Sequence, residues 1–144
     1  MSTKRVILSA ILVLGIFTTV MPSANAETVT FPCGGTATYS VLMPTGVAFD
    51  GKQCSGSLTI DSSVKILDAG AFTNSTLTSA IIPNSVTRIG DAAFYGTPLT
   101  SVTIGNSVIS SGAKALMGTR LTSVIIPNSV TDIGEEAFRV GTLT

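Results

Sequence analysis

The 144-residue chain carries eight Lys/Arg against eight Asp/Glu, with two Cys, no His and no Trp. Without histidine a Ser-His-Asp or Cys-His nucleophile system is excluded, and two cysteines are too few soft ligands for a zinc centre. Two basic residues, Lys4 and Arg5, sit at the extreme N-terminus; the rest of the chain has six basic and eight acidic residues, which argues against nucleic acid or an anionic membrane surface as partner.

Residues 1–26 read as a secretory signal peptide. Lys4 and Arg5 form its positive start, Val6 to Val20 its apolar run, and Ala24-Asn25-Ala26 an A-x-A cleavage site. The alternative is a membrane anchor, but the run falls short of the roughly 17–25 residues that span a bilayer. No Cys closes the run, so a lipid anchor is not indicated. The mature chain is expected to begin at Glu27 and to be secreted or displayed at the cell surface.

Residues 27–54 do not repeat. Thr28 to Phe31 and Thr36 to Val41 have the composition of short strands, with Gly34-Gly35 as a turn between them. Cys33 and Cys54 can pair in one way only. An exported chain with an even cysteine count favours that disulfide over two buried thiols. The segment is expected to cap the first apolar layer of a repeat region that starts at Ser55.

From residue 55 the chain repeats every 22 residues. Leu77-Thr78-Ser79 returns as Leu99-Thr100-Ser101 and Leu121-Thr122-Ser123, and begins again at Leu143-Thr144. The units are 55–76, 77–98, 99–120 and 121–142. A fixed period of this length signals stacked repeats, each burying its apolar face against its neighbours. Counting Leu121 as position 1, apolar residues recur at positions 1, 4, 6, 10, 13, 17 and 18. Positions 4 to 6 alternate as a strand does. Positions 15 to 18, such as Asp91 to Phe94 and Glu135 to Phe138, read as a short helical turn with acidic residues at its positive end. Pro83 and Pro127 follow the strand, where a missing N–H ends pairing. Unit 99–120 departs from the pattern, with Gly105 in place of Pro and Ser111 in place of an inward Ile. A buried Ser111 hydroxyl must find a backbone partner or mark a loose unit.

The spelling L-T-S-V-x-I-P-N-S-V-T-x-I-G-x-x-A-F resembles the BspA-like leucine-rich repeats of bacterial surface proteins, over Ser55 to Thr144. The resemblance implies a leucine-rich-repeat solenoid of the α/β type, parallel strands with short helical turns, about four repeats long. It also implies export, and binding or adhesion rather than catalysis.

Candidate chemistry is sparse. Asp61, Asp68, Asp91, Asp132, Glu135 and Glu136 fall on turns, where solvated capping is their ordinary role. Asp132 with Glu135-Glu136 is a weak calcium pattern, and no metal or cofactor is expected. Asn74-Ser75-Thr76 matches a glycosylation sequon, which is incidental behind a bacterial type of signal. The surface left for binding is the outward strand face: Thr78, Ser79 and Ile81; Thr100, Ser101 and Thr103; Thr122, Ser123 and Ile125. These are either β-formers chosen to stack or contacts for a host, matrix or cell-surface protein. Val124, Ile126, Val130, Ile133 and Phe138 form an incompletely covered last layer, which invites self-association. A weak carbohydrate or small-molecule site is the third expectation, disfavoured by the lack of Trp and His.

Overall fold

The computed structural model describes residues 27–43 and 45–140. The signal segment 1–26 and the start of a fifth unit at Leu143 lie outside the described residues. The 22-residue period becomes a stack of coils in which each position lies beside its counterpart one coil away, as in the Ser79–Ser57 hydroxyl bond and the Thr100 N–H to Thr78 carbonyl bond.

Two sheets line the stack. Strands β4 (Ser55–Thr59), β6 (Thr76–Ile82) and β8 (Ser101–Ile104) form a parallel three-stranded sheet. On the other side β5 (Ile66–Leu67), β7 (Arg88–Ile89), β9 (Ser110–Ser111) and β10 (Asp132–Ile133) pair in parallel. That second sheet continues into the N-terminal cap: β1 (Glu27–Pro32) and β2 (Thr38–Met43) form an antiparallel hairpin, β2 pairs with β3 (Val47–Phe49), and β3 pairs in parallel with β5. The hairpin matches the expected pair of strands, and Gly34 and Gly35 make its turn at positive φ. β3 has no counterpart among the expected strands; it is the one that joins cap to solenoid. The Cys33–Cys54 disulfide forms, with both residues buried.

Inward positions stack as columns. Leu77, Leu99 and Leu121 are fully buried, as are Val64, Val86 and Val108. An aromatic column runs from the cap into the coils: Phe31 stacks on Tyr39, Tyr39 meets Phe72 edge-on, and Phe72 stacks on Phe94 at 5.2 Å between ring centroids. Leu116 interrupts it before Phe138. The Tyr39 hydroxyl accepts the Asp61 N–H at 2.8 Å, and burial pushes its pKa up to about 12. Gly105 departs from the Pro pattern where a Cβ would come within 2.6 Å of the Pro83 carbonyl.

No helix forms among the described residues, so the expected short helical turns are corrected. Single left-handed residues punctuate the chain at these places. Gly70, Ala92, Lys114 and Glu136 have positive φ, and so do Asn74, Gly96 and Gly118 four residues later. Along these turns every second N–H points at the adjacent coil: Ala92, Phe94 and Gly96 donate to the carbonyls of Ala113, Ala115 and Met117 at 2.8–2.9 Å. Ala93 and Tyr95, between them, donate within their own turn to Gly90 and Ala92. A left-handed conformation costs a non-glycine residue roughly 1–2 kcal/mol. Bonding to the next coil offsets this, whereas a one-turn helix leaves most of its donors unmet. The acidic residues act accordingly: Asp91 Oδ1 accepts the N–H of Ala113 in the next coil at 2.9 Å, in place of the expected helix-dipole role.

The last unit also differs from expectation. Residues 122–126 contribute no strand, which leaves β8 as the sheet edge. A cleft of about 180 Å³ opens there, lined by Val102, Thr103, Ile104, Asn106, Ile125 and Pro127. The inward column here reads Leu58, Ala80, Val102 and Val124, and its first three members lie in β4, β6 and β8. β10 keeps the same unit tied on the other side.

Candidate binding face

Each outward position on the strand side is set by the alternation that buries its neighbours. Leu58, Ala80 and Ile82 point inward, so Ser57, Ser79 and Ile81 face away from the core. In register, Ser79 lies beside Ser101 and Ile81 beside Thr103. Thr78 is the extra residue at an irregularity opposite Gly56 and Ser57, and its carbonyl accepts both the N–H (2.9 Å) and the hydroxyl (3.1 Å) of Thr100. The face thus consists of exposed Thr78, Thr100, Ser101 and Thr103, half-buried Ser79, and Ile81 at 48% exposure. Thr122, Ser123 and Ile125 are exposed beyond the sheet edge, outside the ladder; Ile125 reaches 86% exposure.

Chemically the face offers hydroxyls and isolated apolar side chains. It has no charged residue and no shifted titratable group. Five of the six turn carboxylates are engaged, Glu136 among them: Asp61 accepts the N–H of Ser63, Asp68 that of Ala69, Asp91 that of Ala113, and Asp132 the Thr131 hydroxyl. Glu136 pairs with Arg139 and lies 3.9 Å from Lys114. Among the described residues no three His, Cys, Asp or Glu side chains gather as metal ligands, and no helix is long and apolar enough to cross a membrane.

The last described layer is incompletely covered. Ile133 is 53% exposed and Ile126 39%, with Val124, Val130 and Phe138 half-buried. Ser111, one coil below Ile133, is buried and its hydroxyl has no hydrogen-bond partner. A further outward column escaped the sequence reading: Tyr95, Met117 and Arg139, spaced by 22 residues at the corner before the strand. The period itself carried that signal; the helical reading of the adjacent turn obscured which of these residues face out.

A family model described as a BspA type leucine rich repeat region, in six copies, matches residues 46–144. The chain belongs to this family. Solved structures similar to this BspA-type repeat protein include two bacterial leucine-rich repeat proteins and a pneumococcal antigen. One from Bacteroides capillosus is 20% identical with a TM-score of 0.59, over 80% of this chain and 99% of that one. One from Eubacterium ventriosum is 22% identical with a TM-score of 0.53, over 79% of this chain. The pneumococcal vaccine antigen PcpA is 17% identical with a TM-score of 0.55, over 83% of this chain. This BspA-type chain spans 37% of the length of each of the last two. At these identities the likeness shows the fold. No curated protein matches the chain.

Proposed function

We propose that this chain is an exported, non-catalytic interaction module that binds a host, matrix or cell-surface protein through its strand face. The observation that carries the reading is the in-register array of outward Thr, Ser and Ile side chains on β6 and β8, adjoining the exposed Ile125. Family membership supports it, since leucine-rich repeats suit protein interaction. Hydroxyls supply adaptable hydrogen bonds, and Ile81 and Ile125 supply apolar contact. The test is surface plasmon resonance of residues 27–144 against a panel of purified matrix and cell-surface proteins. At least one is expected to bind, and Ile81→Asn or Ile125→Asn to weaken that binding. A silent panel, or binding indifferent to both substitutions, overturns the reading.

A second reading is self-association through the apolar side chains of unit 121–142, favoured by the exposure of Ile126 and Ile133. Sedimentation equilibrium is expected to show a dimer that Ile133→Glu dissociates; a monomer at all concentrations refutes it.

A further inference from the structure

Charge is segregated around the solenoid. Residues 73–82, 95–104, 117–126 and 139–140 contain no Asp or Glu, and their only charged residues are Arg120 and Arg139. Every Asp and Glu after residue 60 lies outside these segments, at 61–72, 83–94 or 127–138. The acid-free segments lie side by side: Gly96 donates to Met117 at 2.9 Å, Gly118 to Arg139 at 3.2 Å, and Arg120 to Leu99 at 2.9 Å.

This registration builds the corner column of Tyr95, Met117 and Arg139. Beside it run Gly96 and Gly118, which carry no side chain. Tyr95 is 38% exposed, and Arg120 and Arg139 are both exposed. Arg139 reaches back to Glu136, whereas the Arg120 guanidinium has no partner among the described residues. Tyr, Met and Arg are the residue types enriched at protein interfaces, and Tyr and Arg dominate their energetic centres. The strand face has none of the three; this corner, continuous with it through Thr100 and Thr122, has all of them.

We infer that the corner of Tyr95, Met117, Arg120 and Arg139, with the adjoining threonines, docks an acidic segment of a partner protein. A guanidinium binds a carboxylate through two parallel N–H···O bonds. Tyr95 and Met117 supply apolar contact for the segment's other side chains, and the threonine hydroxyls can meet its backbone. Arg120 is free to take one carboxylate in this two-bond form, and Arg139, already beside Glu136, adds its remaining N–H groups; the pair neutralises too few phosphates to hold a nucleic acid. The inference deepens the interaction-module reading and rests on it.

The test selects short random peptides displayed on phage against residues 27–144. Selected peptides are then measured by fluorescence anisotropy, with heparin as a competing polyanion. Expected are sequences rich in Asp and Glu interspersed with apolar residues. Arg120→Ala and Tyr95→Ala should each weaken them about thirtyfold, the scale of an interface hot spot. Arg120→Lys should restore only part, because an ammonium cannot form the two-bond pair. Both side chains are exposed, so unchanged thermal melting of the variants separates lost binding from lost fold. Peptides without acidic enrichment, or binding indifferent to both alanine variants, overturn the inference. So does tighter binding of heparin than of any selected peptide, which would make the surface a general polyanion site. Binding lost in Ile81→Asn and Ile125→Asn but untouched by Tyr95→Ala and Arg120→Ala overturns this inference and leaves the strand-face reading standing.

Discussion

Replacing Ser111 is expected to stabilise the protein, which is uncommon for a substitution in a core. Its column reads Leu67, Ile89, Ser111, Ile133; the first two are fully buried, and Ser111 is 4% exposed with its hydroxyl unpaired. A buried polar group without a partner carries a desolvation cost of about 1–3 kcal/mol. Ser111→Ala removes the hydroxyl without adding volume, and a gain of about 1 kcal/mol is expected. Ser111→Val suits β9 and adds apolar surface between Ile89 and Ile133, contributing about 0.8 kcal/mol more per buried methylene equivalent. For a chain of this size 1 kcal/mol raises the melting temperature by roughly 4 °C. Thermal melting followed by circular dichroism reads the shift. Amide exchange over residues 105–118, expected to be faster than in the neighbouring coils of the wild type, should slow in Ser111→Val. Were the hydroxyl in fact bonded, Ser111→Ala would lower the melting temperature. A fall in both variants therefore refutes the reasoning.

Other outcomes concern the cap, the turns and the buried tyrosine. Reducing the Cys33–Cys54 disulfide, which closes a sequence separation of 21 residues, should destabilise the fold by about 3 kcal/mol; an unchanged melting temperature in reductant would show that the cap does not depend on it. Ala92→Gly relieves a left-handed backbone at φ 52° and should stabilise by up to about 1 kcal/mol, whereas Ala92→Val should destabilise by more than 1 kcal/mol; equal melting temperatures for the two would contradict the turn geometry. Tyr39 has its pKa raised to about 12 by burial. Its folded form therefore holds its proton where the unfolded chain, near pH 10, releases it. The associated stability is complete below about pH 10 and is lost as pH rises towards 12, by about 1.4 kcal/mol per unit. Tyr39→Phe should flatten that alkaline decline in denaturant titrations, while leaving the Asp61 N–H unpaired and the protein about 1–2 kcal/mol less stable at neutral pH.

Much of this architecture is legible in the residues. Stacking sets each position beside itself, so a column such as Leu77, Leu99 and Leu121 must be either inside or outside together. Strand alternation then decides which, and it places Ile82 inward and Ile81 outward correctly. The family spelling, the cap hairpin and the single cysteine pairing are local patterns of the same kind. Where Ala92 and Phe94 send their N–H groups is not local. A helical turn and a turn punctuated by left-handed residues have similar sequence signals, and the choice falls to carbonyls 21 residues onward in the next coil. The same holds for residues 122–126, whose spelling matches β6 almost residue for residue. The spelling alone does not separate the paired segment from the unpaired one; the tertiary structure ends the sheet at β8. The corner of Tyr95, Met117 and Arg139 combines the two levels: its spacing is written in the period, but its exposure follows from turns that only coil-to-coil hydrogen bonding decides.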